Sequence, residues 1–379
     1  MLDRHADLPP SSRVVLAPDT FRGSLSATAV VDHLARGIST ARPDVRIVRC
    51  PVADGGEGTL DAALSAGFTR VPVRATGPAG RPVDSAIAVR QGVGVAEMAD
   101  ACGLERAGDM RLNPLGASSR GAGDLVRAAL DAGCEKIVLA VGGSASTDGG
   151  AGMLQALGAR LLDADGIAIS PGGGGLSQLS RVDLSTLDRR LASTKVVLAS
   201  DVDNPLLGPD GAAAVYGPQK GATEADIPLL EKALSRWADL VDPQSVDLPG
   251  AGAAGGVGFA AMAVLGARMR PGIDVVLDLV GLRDQVEGAD LVVTGEGKLD
   301  AQTLRGKAVA GVAGVARAFR VPAVAVCGVR ALDADGVASL GLRRVYALSD
   351  LEPDRERCLA EAGSLSELVG RRIAADFLT

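Results

Sequence analysis

Gly142-Gly143-Ser144-Ala145-Ser146-Thr147-Asp148-Gly149-Gly150-Ala151-Gly152 lies between an apolar run and an amphipathic segment. Upstream, residues 136–141 (KIVLAV) form a run too short for a helix, which reads as a buried strand. Downstream, Met153, Leu154 and Leu157 fall on one helical face. The stretch is therefore a strand-to-helix turn. Its glycines remove side-chain bulk, Ser144, Ser146 and Thr147 offer hydroxyls, and Asp148 places a carboxylate near the helix start. Such a turn holds an anion on free backbone N–H groups, or is a tight connection capped by Thr147 or Asp148.

Composition narrows the class. A chain of 379 residues suits two domains, and 47% hydrophobic content with mixed charge excludes wholesale disorder. Aromatic residues make up only 2%, so stacking platforms for bases are scarce, and the net charge of -7 also argues against a nucleic-acid partner. Glycine accounts for 50 of the 379 residues, about 13% against a usual ~7%, mostly in turns beside apolar runs. Cys50, Cys102, Cys134, Cys327 and Cys358 lack C-x-x-C spacing and read as buried thiols of a reducing compartment. No run approaches the ~18 apolar residues of a membrane helix, and the first residues carry no apolar signal core. A soluble cytoplasmic protein without a membrane partner is expected. With only His5 and His33 present, Ser-His-Asp catalysis and His-ligated zinc are hard to assemble.

Taken in order, residues 1–12 read as a flexible lead and 14–17 as a strand. A helix capped by Ser24 or Ser26 follows to about Ile38. Residues 45–52 are a second strand, ending in Asp54-Gly55-Gly56-Glu57-Gly58-Thr59 before a helix over 60–64. Residues 71–75, 85–89 and 93–98 alternate between Gly/Pro breaks and read as antiparallel hairpins. Residues 109–119 read as loop and 117–130 as a helix. Residues 164–176 read as turn and loop, 195–200 as a strand, 226–241 as a helix, and 259–265 as a helix opened by a Pro/Gly-rich segment. The α/β texture then returns, with strands at 290–294, 321–327 and 345–348 and helices near 303–318 and over 365–377. The two ends share one style and the middle another, so a discontinuous first domain (1–77 and 286–379) with 78–285 inserted is expected.

Five strands are expected to end in acidic turns, carrying Asp19, Asp54 with Glu57, Asp148, Asp201 with Asp203, and Glu296 with Asp300. In open parallel sheets ligands bind outside the carboxyl ends of strands. Carboxylates gathered there repel one another and call for a cation, and Mg²⁺ suits one or two carboxylates plus phosphate oxygens. Arg22, Lys220, Lys298 and Lys307 on the same kind of turn can meet phosphate charge. No P-loop occurs, since Gly306-Lys307 is followed by Ala308. The G-x-G-x-x-G at Gly250, Gly252 and Gly255 follows Asp247-Leu248-Pro249 rather than a strand, so it lacks the context of a dinucleotide site. With no histidine in any site turn, an NAD-linked dehydrogenase ranks low.

Several long motifs resemble those of the type 1 glycerate kinase family, bacterial ATP-dependent kinases of D-glycerate. They are Ala17-Pro18-Asp19-Thr20-Phe21-Arg22-Gly23-Ser24-Leu25-Ser26-Ala27, Val52-Ala53-Asp54-Gly55-Gly56-Glu57-Gly58-Thr59, the turn 142–152, Ser200-Asp201-Val202-Asp203-Asn204-Pro205 continuing to Tyr216-Gly217-Pro218-Gln219-Lys220-Gly221-Ala222, the run from Gly252 to Phe259, and the run from Thr294 to Lys307. The family's first motif usually has Lys where this chain has Arg22, which turns a point contact into a fork.

The resemblance implies transfer of the ATP γ-phosphoryl group to a hydroxyl of D-glycerate, giving 2-phosphoglycerate, with 3-phosphoglycerate as the other product. It implies two α/β domains, a discontinuous Rossmann-like one and an inserted mixed-sheet one, around an active-site cleft. Asp201 or Asp203 then orients or deprotonates the hydroxyl, and Lys298, Lys307 and Arg22 meet charge. Asp54, Glu57 and Glu296 are candidate Mg²⁺ ligands. Asp19, Ser144, Thr147, Asn204 and Lys220 are candidate substrate contacts, with Arg22 or Lys220 on the carboxylate. Gly55, Gly56, Gly142, Gly143, Gly295 and Gly297 are candidate nucleotide contacts. The opening turn is expected to form one cleft wall, facing residues 54–59 and 294–307 of the first domain. A homodimer is compatible with this reading. A non-catalytic hydroxy-acid-binding protein is the rival from another class.

Overall fold

The computed structural model describes residues 12–107 and 113–378. Residues 1–11 of the expected lead, His5 among them, and the first part of the loop expected from residue 109 lie outside the described residues. In chain order the strands are β1 (Arg13–Pro18), β2 (Arg46–Arg49), β3 (Thr69–Thr76), β4 (Pro82–Arg90), β5 (Val93–Glu97), β6 (Lys136–Ala140), β7 (Arg160–Leu162), β8 (Arg181–Asp183), β9 (Lys195–Ala199), β10 (Arg268–Arg270), β11 (Leu291–Leu299), β12 (Ala323–Arg330) and β13 (Arg344–Ala347). They build a five-stranded sheet in the order β13-β12-β11-β1-β2, a six-stranded sheet in the order β10-β9-β6-β5-β4-β3, and the small β7-β8 pair.

The chain divides into one unit of Met1–Ala53 with Val276–Thr379, and a second unit of Asp54–Val275. The boundaries at 53/54 and 275/276 differ from the expected 77/78 and 285/286. The physical reason lies in the pairing. β3 runs antiparallel to β4 along its whole length, from Thr69 opposite Val89 to Thr76 opposite Pro82, so residues 69–76 belong to the second sheet. The preceding helix Thr59–Ser65 is held by Glu97 at the end of β5, which places residues 54–59 in the second unit as well.

The first unit is a wholly parallel sheet. Its apolar strand centres are sealed from water, with Val14, Leu16, Val293, Val324 and Val326 all at 0% exposure. Burying each such side chain contributes ~1.5–3 kcal/mol. The helix Ala27–Ala41 starts where Ser26 Oγ accepts from Ala29 N at 3.2 Å, a cap that supplies an acceptor for a first-turn amide. It crosses the helix Ala362–Phe377 at very short range. A Cβ on Gly37 would sit 2.1 Å from the Glu367 carbonyl oxygen, so small residues allow the two backbones to touch. Numbered within the unit, the spatial strand order is 2-1-3-4-5. The direction of winding therefore reverses between β1 and β11, and their carboxyl ends form the switch point where such sheets bind ligands.

The second unit has a mixed sheet. β10, β9, β6 and β5 run parallel, and β4 and β3 complete it as antiparallel strands. Its core is aliphatic, apart from Trp237 set edge-on to Phe259 with ring centroids 6.5 Å apart. The helix Asp226–Val241 has the expected bounds. Three-residue strands β7, β8 and β10 and the helix Gly272–Leu279 are additions, too short or too Gly/Pro-flanked to register as periodic patterns. Among the described residues no helix is long and apolar enough to cross a membrane.

Candidate active site

In the second unit, four parallel strands bring Glu97, residues 142–152, Asp201 and Gly272 to the same edge of the sheet. Glycine lets the backbones there touch. A Cβ on Gly272 would lie 2.1 Å from the Asp54 carbonyl oxygen, and one on Gly142 would lie 2.6 Å from Gly56 Cα. Gly55, Gly56 and Gly142 thus answer a packing need. Residues 54–59 lie against the turn within one unit, rather than facing it from another domain.

Asp201 follows β9. Its Oδ1 accepts from Gly272 N at 2.6 Å, at the start of the helix Gly272–Leu279. Although one side of Asp201 is open to solvent, crowding by the protein and, next, the Asp54 carboxylate raise its pKa to about 6. Amides of Gly272 and Ile273 act in the opposite direction. A carboxyl group balanced this way is charged at neutral pH and still basic enough to accept a proton. Asp203 is exposed, near Tyr216. Asn204 is occupied within its own loop. Its Oδ1 accepts from the Tyr216 hydroxyl at 2.5 Å and its Nδ2 donates to the Asp210 carbonyl at 2.9 Å, bonds that shape the loop.

The opening turn is fastened from inside. Asp148 is wholly buried and accepts from Ser119 N (2.8 Å), Ser119 Oγ (2.9 Å), Gly150 N (3.2 Å) and Gly152 N (3.2 Å). Burial pushes its pKa up, and these donors work against that. Asp148 is therefore a clamp and not a ligand-facing acid. Lys220, expected on the substrate carboxylate, is only 2% exposed and donates to Ser144 Oγ at 2.8 Å and the Ser146 carbonyl at 2.6 Å. Burial pulls its ammonium down to about 7, with Asp148 acting in the opposite sense. It braces the turn from below, which corrects its expected role. Ser144 is 5% and Thr147 0% exposed, and among the described residues Thr147 Oγ1 and Ser146 Oγ have no hydrogen-bond partner. The Gly143 carbonyl accepts from Leu104 N at 2.9 Å.

In the first unit, the switch point carries Asp19 after β1 and Glu296 within β11. Asp19 N donates to the Gly295 carbonyl at 2.8 Å, and Asp19 Oδ1 accepts from Thr20 N at 2.6 Å. β11 continues through Leu299, so Gly295, Glu296, Gly297 and Lys298 are strand residues rather than a turn. The correction has a steric cause. A Cβ on Gly295 would lie 2.3 Å from the Val326 carbonyl oxygen, and one on Gly297 would lie 3.1 Å from Arg22 N. Their bareness lets β12 and the segment after β1 close on the strand. Glu296 is 8% exposed and accepts from the Thr303 hydroxyl. Lys298 pairs with Asp300 at 3.2 Å, and Lys307 Nζ donates to Gln302 Oε1 at 3.0 Å; both ammonium groups are on the surface, as is Arg22.

Among the described residues no three His, Cys, Asp or Glu side chains stand together as a metal cage. Mg²⁺ needs only one or two carboxylates when phosphates and waters complete its shell. Asp54, close enough to Asp201 to raise its pKa, fits that demand, and Glu57 is exposed beside it. Glu296, engaged by Thr303, fits it less well.

Sequence reasoning missed Glu97. It is 5% exposed, and its partners lie 37 and 39 residues upstream, so no local pattern could mark it.

A parallel sheet with a switch point and a mixed sheet with acid-bearing strand ends define an α/β protein of the class that binds small molecules at the carboxyl ends of its strands. The chain belongs to the glycerate kinase family, whose family model matches residues 14–378. A glycerate kinase of Bacillus subtilis is 43% identical over 371 residues, covering 96% of this chain and 97% of the relative. A glycerate 2-kinase of Escherichia coli is 42% identical over 345 residues, 89% and 90% of the two chains. A crystal structure from Salmonella typhimurium LT2, described as a glycerate kinase 2, superposes with a TM-score of 0.83 at 40% identity, covering 97% of this chain and 98% of that one.

Proposed function

We propose that this chain is a cytoplasmic type 1 glycerate kinase that transfers the γ-phosphoryl group of ATP to the 2-hydroxyl of D-glycerate, giving 2-phosphoglycerate and ADP. Family membership across residues 14–378 supports the reaction, and the likeness to a glycerate 2-kinase supports the position. The observation that carries the chemistry is Asp201, a carboxylate raised to about 6 at a strand end and steadied by the Gly272 amide.

Phosphoryl transfer depends mainly on positioning and charge neutralisation. In the second unit, Asp201 receives or orients the proton of the attacking hydroxyl, with Asp203 beside it. Asp54 and Glu57 would hold Mg²⁺, which when bound neutralises phosphate charge. In the first unit, Lys298 and Lys307 offer ammonium groups to phosphate oxygens, and Arg22 presents a fork suited to a carboxylate. Asp19, at the switch point, accepts from a substrate hydroxyl.

A coupled assay with ATP, Mg²⁺ and D-glycerate tests the reading. ADP release that depends on glycerate is expected. Tight glycerate binding without ADP release would make the chain a hydroxy-acid binder instead.

A further inference from the structure

β5 ends at Glu97, a carboxylate that is 5% exposed. Both its oxygens reach back to a distant segment: Oε1 accepts from Gly58 N at 3.3 Å and Oε2 from Leu60 N at 2.8 Å. These amides open the helix Thr59–Ser65, whose N-cap, Gly58, has no side chain to offer them an acceptor. The Thr59 hydroxyl is turned to the Gly56 carbonyl, to which it donates at 2.7 Å. Glu97 therefore supplies from another element the cap that the local sequence lacks.

The site is otherwise hostile to a carboxylate. Burial and the nearby Asp100 and Asp61 all disfavour its charge, and the two amides are what oppose them. A leucine would fill the space without a buried charge. What a leucine lacks is a pair of acceptors placed to meet the N-cap amide of Gly58 and the first-turn amide of Leu60.

The segment so held is the one that carries Asp54 and Glu57. Backbone packing pins Gly55 against Gly272 and Gly56 against Gly142, and Glu97 pins Gly58 and Leu60. Asp54 is thereby kept where Asp201 feels its charge. We propose that Glu97 is a positioning residue for phosphoryl transfer, fastening residues 54–60 so that the Asp54 carboxylate stays beside Asp201. The assignment rests on the reading of this edge as the catalytic one.

Glu97→Gln keeps shape and one acceptor but turns an N–H₂ toward an amide donor, and Glu97→Asp keeps charge but falls short by one methylene. In both, hydrogen exchange at the amides of residues 58 and 60 should quicken by about tenfold or more. kcat should fall about 10- to 100-fold, with KM for D-glycerate changed by less than about threefold and the melting temperature within a few degrees of wild type. A residue that merely held the fold together would lower the melting temperature and leave the kcat of folded enzyme intact. Wild-type kcat in either folded variant, or unchanged exchange at both amides, overturns the proposal. Wild-type protein that shows no glycerate-dependent ADP release fails the functional reading instead, and the exchange data still report whether Glu97 fastens the segment.

Discussion

Replacing Lys220 by Met tests how the central turn is held. The ammonium is 2% exposed and bound to Ser144 Oγ and the Ser146 carbonyl, and burial lowers its pKa from 10.5 to about 7. At 1.36 kcal/mol per pH unit, that difference corresponds to ~5 kcal/mol. The sign follows from proton counting. Between about pH 7 and 10.5 the unfolded chain still binds the proton that the native state has released, so stability rises with pH across this window. The contribution is complete above 10.5 and is lost as pH falls through about 7. From pH 7 to 9 it amounts to about 2 kcal/mol.

Methionine fills the channel without a charge, and the two abandoned acceptors cost ~1–3 kcal/mol each. At pH 7 the lost hydrogen bonds and the relieved desolvation nearly offset one another, leaving the variant within about 2 kcal/mol of wild type. By pH 9 it should fall behind by about 2 kcal/mol more. Urea unfolding followed by fluorescence reads this directly, because the single tryptophan, Trp237, is wholly buried in the same unit and donates to the Gly149 carbonyl of the turn at 2.9 Å. Stability curves for wild type and Lys220→Met that run parallel from pH 7 to 9 would refute the buried-ammonium account.

Other expectations concern the same edge. Asp201→Asn should lower kcat by about 10²–10⁴-fold. In wild type, activity should rise with pH through about 6 as Asp201 loses its proton, and steady-state rates from pH 5 to 8 check both points. Gly272→Ala forces a Cβ to within 2.1 Å of the Asp54 carbonyl oxygen, so activity should collapse through displacement of residues 54–56, visible as altered exchange there. Asp148→Asn leaves part of a four-donor cluster without an acceptor, and a loss of ~2–4 kcal/mol should appear in thermal or urea unfolding.

How much of this was legible in the sequence depended on the range of the interaction. The helix Asp226–Val241 is marked by its own periodicity, and the hairpins of β3 to β5 by alternation and Gly/Pro breaks. β10 and the helix Gly272–Leu279 are hidden because three residues carry no period and Pro271-Gly272 reads as a loop. β11 runs past its expected end because its glycines, which in sequence look like turn formers, make room for β12 and the segment after β1. At the site, the acidic strand ends were visible as residue types. Which acids turn inward was not: Asp148 and Asp201 look alike in sequence, and only the donors around Asp148 show it to be a clamp. Lys220 likewise reads as a surface cation until its burial is seen.

Phosphorus NMR of a reaction containing ATP, Mg²⁺, D-glycerate and the full chain tests the central claim most directly. The account predicts ADP together with one new phosphate monoester whose phosphorus couples to the single proton on carbon 2. An unchanged ATP spectrum in the presence of bound glycerate would contradict it.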